Sequence, residues 1–297
     1  VSTTEKDADT YAWAEGMVRD YFRYVLHRDK VNPLELETWT SRLLATRDPA
    51  GVFREFANCE ENRRRLAHEQ DTRTAYPSGH FYSPVVSRQD AAEDRERIFG
   101  PRALKGINLN GDEQERTFRR MAPLLGTLPF SEEADGKHRY HYKNSSYAFG
   151  DSSIYWSLIG TLRPSRIIEV GSGFSSAMAL DAIEHFGLQT SCVFIDPYPA
   201  LLMQLVGTLD PRHKVIDRKV QQVDPEIVAT LGRNDILFID SSHVVKTGSD
   251  VHFEVTELLP RLAPGVVVHF HDTFHGFEYP ERWVLDENMS WNELYFL

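Results

Sequence analysis

The chain has 297 residues, of which 41% are hydrophobic and 26% charged, and its formal net charge is −11. That balance suits a folded chain of more than one domain, and the acidic excess gives no long-range attraction to nucleic acid or anionic lipid. Every apolar run falls short of the roughly 18 residues that a membrane-spanning helix needs, and the first residues show no secretory pattern. Two cysteines, Cys59 and Cys192, stand far apart in sequence and suggest no disulfide framework, so the cytoplasm is the expected compartment.

Between residue 11 and about residue 68 the apolar residues recur at helical spacing. A first helix carries Tyr11, Trp13, Met17, Tyr21, Phe22, Val25 and Leu26. A polar break at 27–33 precedes a second with Leu34, Leu36, Trp39, Leu43 and Leu44. A third carries Val52, Phe53 and Phe56 and runs into the charged stretch 60–65. Three pieces, Tyr21-Phe-Arg-Tyr-Val-Leu-His-Arg-Asp29, Leu36-Glu-Thr-Trp39 and Phe53-Arg-Glu-Phe-Ala-Asn-Cys-Glu-Glu61, resemble a phycobilisome-linker-like helical domain. A glycine usual in that family is missing here between Leu34 and Leu36. The resemblance implies a small all-helical module, residues 1–68, that docks a protein partner.

Residues 69–128 form a bridging segment in this reading. Tyr76-Pro-Ser-Gly-His-Phe-Tyr-Ser-Pro84 is dense in turn formers and aromatic rings. It suits either a strap packed onto a neighbouring domain or a loop lining a pocket. A helix is predicted from Asp112 to Leu125.

From about residue 163 strand and helix patterns alternate. Strands are predicted at 166–170, 192–196, 214–220, 235–240 and 265–271, with helices at 175–186, 199–206, 225–231 and 250–262 between them. Such alternation predicts βαβ units and an α/β fold with a parallel sheet flanked by helices, occupying residues 129–297. In an open parallel sheet the ligand lies at the carboxyl ends of the strands. Here those ends carry Glu169 with Gly171-Ser172-Gly173, then Asp196, then Gln221 to Asp224, then Asp240-Ser-Ser-His243, then His271-Asp272.

The glycine loop departs from a dinucleotide fingerprint, because Ser176 stands where the third glycine belongs. An acid two residues before the first glycine suits a cationic ligand and would repel a pyrophosphate. This loop, followed by an acid after strand two, resembles class I (Rossmann-like) methyltransferases. The resemblance implies S-adenosylmethionine over Glu169, Gly171, Ser172 and Gly173, its ribose on Asp196, its adenine near Gln222 to Asp224, and Asp240 closing the site. His80-Phe-Tyr-Ser-Pro84, Glu169-Val-Gly-Ser-Gly-Phe-Ser-Ser176, Phe238-Ile-Asp-Ser-Ser-His243, Gly248-Ser-Asp-Val251 and His269-Phe-His-Asp272 together are similar to one bacterial branch of that class. The branch is loosely similar to metal-dependent sugar and macrolide O-methyltransferases. Family topology adds a C-terminal hairpin; Trp291 to Leu297 reads as the start of the helix before it, and a truncated hairpin is the expectation.

The implied reaction is methyl transfer to an oxygen of a small polar acceptor, such as a sugar or secondary metabolite. An alcohol acceptor needs a base or a metal ion. Three readings of the cluster at strands four and five stand open. His269 is a buried, hydrogen-bonded histidine and the rest are loop polar groups. Or His243 or His271 is a general base, held near neutral pKa by Asp240 or Asp272. Or Asp240, His271 and Asp272 hold Mg2+ or Mn2+. Two rivals to methyl transfer remain: a metal-dependent oxidative enzyme on this scaffold, and a non-catalytic targeting protein.

Overall fold

The computed structural model describes residues 3–28, 30–63, 76, 78–101 and 103–297. The chain divides into two compact units, Val1–Pro84 and Val85–Leu297.

In the first unit, helices α1 (Thr3–Leu26), α2 (Pro33–Thr46) and α3 (Pro49–Asn58) enclose one core. The ends of α2 and α3 are set locally. Asn32 and Asp48 accept the backbone N–H groups of Leu34 and Gly51, both at 2.9 Å, and a proline follows each cap. The buried stripe of α1 is Ala14, Val18, Phe22 and Leu26, which meets Leu36, Leu43, Val52 and Phe56. Tyr11, Trp13, Leu34 and Phe53, which the periodicity placed on the core faces, are exposed. The core stripe of α1 is only four residues, in sequence steps of four, and large side chains that flank the packed faces stand in solvent. Near the end of this unit Tyr76 stacks on His80 at 4.5 Å, and Phe81 and Tyr82 stay exposed. The charged end of the third predicted helix beyond residue 63 lies outside the described residues.

The second unit opens with short turns of helix at Arg88–Glu93 and Arg95–Phe99, then α4 (Gly111–Met121) and α5 (Phe149–Leu162). Five strands follow: β1 (Arg166–Val170), β2 (Ser191–Ile195), β3 (Lys214–Ile216), β4 (Ile236–Ile239) and β5 (Val267–Phe270). All pair in parallel, in the order β3-β2-β1-β4-β5. The connections α6 (Phe174–His185) and α7 (Ala200–Val206) lie after β1 and β2, and α8 (Asp250–Phe253) before β5. Buried residues alternate across β1 and β4, so the sheet carries a core on each face. Ile167 and Phe238 meet Tyr155, Trp156 and Met178 on one side, and Ile168 and Leu237 meet Val228 and Leu258 on the other.

Four expectations change. The third strand stops at Ile216 instead of 220, because Arg218 turns back to bond the Ile216 carbonyl at 2.9 Å. The helix expected at 225–231 is a 3-10 turn, Pro225–Thr230. The helix expected at 250–262 changes winding to a π turn at Glu254–Leu258 and a 3-10 turn at Leu259–Arg261, the latter holding Pro260, which has no N–H to donate. The C-terminal stretch forms one 3-10 turn, Glu293–Tyr295, rather than a helix start. Helix α5 went unread in the sequence, although it supplies much of one core face.

Candidate functional site

The strand order reverses at β1, so the crevice between the ends of β1 and β4 is the switch point of the sheet. Gly171 follows β1 in left-handed backbone, φ 86, and a Cβ there would collide with the Asp240 backbone oxygen after β4. Glycine is what lets the two strand ends close on each other. A cavity of about 510 Å³ opens at this point, lined by Gly171, Ser172, Asp196 and Tyr198 on one wall and by Asp240 to Ser242, Lys246 and Gly248 to Asp250 on the other.

On the first wall the Ser172 hydroxyl donates to Asp196 Oδ2 at 2.6 Å, and the Tyr198 N–H donates to Oδ1 at 2.7 Å. Glu169 lies beneath the loop, fully buried, and does not line the cavity. Its Oε1 accepts the hydroxyls of Ser175 (2.6 Å) and Ser176 (2.8 Å), while Oε2 has no hydrogen-bond partner. Burial pushes its carboxyl up to about 8, against those two hydroxyls. Ser176 also accepts the Gly173 N–H at 3.1 Å, so a serine side chain closes the turn in which the dinucleotide motif has glycine.

Gln222 and Asp224, expected beside an adenine, are outside the cavity wall. Lys219, Val220 and Gln221 line it instead. β3 ends at Ile216, ahead of this segment, and the Asp224 carboxylate accepts the Glu226 N–H at 3.0 Å.

At the other end, Asp240, His243 and His271 converge, with one ligand-type atom from each lying within 4.8 Å of the others. Asp240 Oδ1 is 3.3 Å from His243 Nε2 and 3.4 Å from His271 Nδ1. Asp272 Oδ2 lies 3.4 Å from His271 Nδ1 and 3.9 Å from His243 Nε2, outside the converging set. Asp151 Oδ1 faces His271 Nε2 at 3.6 Å. These are ion-pair separations, and both buried nitrogens of His271 lack a hydrogen-bond partner.

Burial would lower the pKa of both imidazoles, but the carboxylates overcome it. Asp151, Asp240 and Asp272 raise His271 far above the ordinary histidine value, and Asp240 with Glu293 brings His243 up to about 9. Asp240 is correspondingly held well below the usual carboxylate range, although burial opposes this. His269 shares the face of His271, packs on Phe238 at 4.7 Å, and is driven down to about 4 by burial and by the neighbouring His271. It is neutral at pH 7, and its Nδ1 has no hydrogen-bond partner.

Three residues of this cluster escaped the sequence reading: Asp151, Trp291 and Glu293. Asp151 sits in the first turn of α5, where its carboxylate also accepts the Ala148 N–H at 3.0 Å. An acid three residues into an apolar helical run was a usable signal. Nothing local in the sequence marks Glu293 as a partner of a loop fifty residues earlier.

The parallel Rossmann-like sheet flanked by helices, with glycine and acid at the switch point, has the class I methyltransferase fold, and an all-helical unit precedes it in the chain. A family model described as a methyltransferase domain matches residues 168–273. A protein of Archaeoglobus fulgidus, described as uncharacterized, is 33% identical over 168 residues, which is 54% of this chain and 76% of the relative. The chain belongs to the family of that archaeal protein. Among solved structures, the SAH-bound methyltransferase PaMTH1 of Podospora anserina aligns with a TM-score of 0.33 and 15% identity, over 58% of this chain and 74% of that one. A candidate methyltransferase from Thermobifida fusca YX aligns with a TM-score of 0.31 and 16% identity, over 72% and 76%. No helix among the described residues is long and apolar enough to cross a membrane.

Proposed function

We propose that the chain is an S-adenosylmethionine-dependent methyltransferase acting on an oxygen of a small polar acceptor, such as a sugar or secondary metabolite. The observation that carries this reading is one cavity with Ser172 and Asp196 on one wall and Asp240, joined to the imidazole cluster, on the other. S-adenosylmethionine would supply a methyl group on a cationic sulfur, ready for in-line displacement. Asp196 would hold the ribose hydroxyls, and the Gly171-Ser172 backbone would permit close approach. Glu169 suits a cationic ligand: its buried Oε2 has no partner, and only hydroxyls balance its Oε1. Titration calorimetry with S-adenosylmethionine tests the proposal, and absence of binding by the intact chain would remove it.

For acceptor activation, the geometry favours a divalent cation over a free histidine base. The acids around His243 and His271 favour their charged forms at pH 7, and a bound cation could displace those protons, whereas a free base would have to lose its proton unaided. The unpartnered nitrogens of His271 and the convergence of Asp240, His243 and His271 fit a cation such as Mg2+ or Mn2+. His243 would replace Asp272 in the ligand set expected from sequence. A bound cation would supply Lewis acidity that lowers the pKa of an acceptor hydroxyl. Asp151 would then hold the far edge of His271 at Nε2, and Asp272 would add negative charge beside the cation. Turnover lost in EDTA and restored by Mn2+ supports this; turnover that survives the chelator overturns it. The helical unit is proposed to dock a protein partner.

A further inference from the structure

The stretch Trp291-Asn292-Glu293 is folded around one residue of the β4 loop. His243 is 4% exposed and adopts left-handed backbone, φ 57, a conformation that needs support from its surroundings. Its carbonyl oxygen accepts the N–H groups of Asn292 (3.0 Å) and Glu293 (3.1 Å). Asn292 grips the next turn of the loop: Oδ1 accepts the Val245 N–H at 2.6 Å and Nδ2 donates to the Val245 carbonyl at 3.3 Å. The Trp291 ring lies against the imidazole, 4.4 Å between centroids. Glu293 Oε2 meets His243 Nδ1 at 2.8 Å, and the carboxylate is 3% exposed.

We propose that Glu293 is a positioning residue for His243, fixing the imidazole with Nδ1–H toward the C-terminal turn and Nε2 toward Asp240. An imidazole has two nitrogens and two ring orientations, and the hydrogen bond made by one nitrogen decides what the other can do. A carboxylate cannot donate, so it selects a proton on Nδ1. The opposite edge then places Nε2 3.3 Å from Asp240 Oδ1, at the mouth of the converging set. A carboxylate behind a ligating histidine also raises the basicity of the ring. Surface attachment is a poor account of this contact, because a buried acid is costly without such a partner. The Leu294 N–H donates to the Tyr279 hydroxyl at 3.1 Å and holds the turn that presents Glu293. The use of His243 in methyl transfer rests on the proposed function; the orientation of its ring does not.

Two variants of the full chain separate shape from charge. Glu293→Gln keeps the size and one acceptor oxygen, and Glu293→Leu removes every acceptor. With 15N-labelled histidine, the wild type is expected to show a slowly exchanging Nδ1 proton on His243. Its exchange should speed up in Glu293→Gln, and the signal should be lost in Glu293→Leu. Mn2+ added alone and followed by electron paramagnetic resonance should bind Glu293→Gln about 10- to 100-fold more weakly. Affinity for S-adenosylmethionine should be unchanged in that variant. A ring proton and an Mn2+ affinity that match wild type in folded Glu293→Gln overturn the proposal. If the wild type binds no Mn2+, the ring proton alone decides, and if Glu293→Leu does not fold, Glu293→Gln decides. A wild type that does not bind S-adenosylmethionine removes the methyltransferase reading and leaves the ring measurement standing.

Discussion

The acid under the glycine loop and the acid–imidazole cluster joined to Asp240 are built on opposite electrostatics. Beneath the β1 wall a single buried acid, Glu169, is balanced only by the hydroxyls of Ser175 and Ser176, and burial favours its protonated form. Beyond the ends of β4 and β5, Asp151, Asp240, Asp272 and Glu293 surround His243 and His271, and the acids favour the charged imidazoles. A cation bound above the loop, as proposed, would favour the ionised form of Glu169 through space, without touching it. The second arrangement sets four carboxylates around two imidazoles, and a metal cation that binds the imidazole nitrogens must displace their protons.

The contrast breaks most visibly at His271. His271→Leu should leave Asp151 without its imidazole and Asp240 and Asp272 with His243 alone, and cost about 3–5 kcal/mol at pH 7 by chemical unfolding. A loss under about 1 kcal/mol would mean that these buried pairs contribute no more than exposed ones. The folded pKa of His271 is raised, so its contribution is whole below the unfolded value of 6.5 and fades only as pH climbs through the folded value.

Gly171→Ala attacks the seam between the walls. A Cβ in left-handed backbone, directed at the Asp240 carbonyl, should cost roughly 2–4 kcal/mol of stability. A thermal melt unchanged from wild type would show that the strand ends are not as close as described.

Asp196→Ala tests the proposed cofactor role of the wall that carries Ser172 and Asp196. S-adenosylmethionine should bind about 1.5–3 kcal/mol more weakly by calorimetry, the range for a hydrogen bond to a charged group. Equal affinity would sink the ribose assignment.

The buried acid gives a smaller, pH-dependent effect. Glu169 holds its proton up to about 8, whereas the unfolded chain loses it near 4.5, so across that window stability falls as pH rises. A cationic ligand favours the ionised form, so binding near pH 6 should expel a proton. Affinity should then rise by at most about tenfold per pH unit toward 8. Calorimetry in two buffers of different ionisation enthalpy reads the proton directly, and no release would show that Glu169 does not sense the ligand. Removing residues 1–84 should change S-adenosylmethionine affinity least of all, if the first unit serves docking. A folded remainder that no longer binds would assign that unit to the site.

The β1 wall was largely legible in the sequence because its parts are contiguous. Glu169 to Ser176 is one strand, one turn and the start of one helix, and strand periodicity with glycine identifies such a run without knowledge of the rest. Asp196 and Asp240 were found by the same rule, as polar residues at the ends of apolar strands. The part of the cavity after β3 was less legible: Lys219 to Gln221 line it and Gln222 and Asp224 do not, and the length of an edge strand depends on pairing along only one side.

What the sequence by itself determined is the alternation of strand and helix, the glycine turn and the identity of the acids at the strand ends, all of which follow from short-range pattern. What only the tertiary structure decided is the ionisation of those residues. Burial raises Glu169, and helix α5 and the C-terminal turn carry Asp151 and Glu293 to His271 and His243. Charge interactions depend on distance through space, and residues 120 or 50 positions apart in the chain become neighbours only when the sheet is folded.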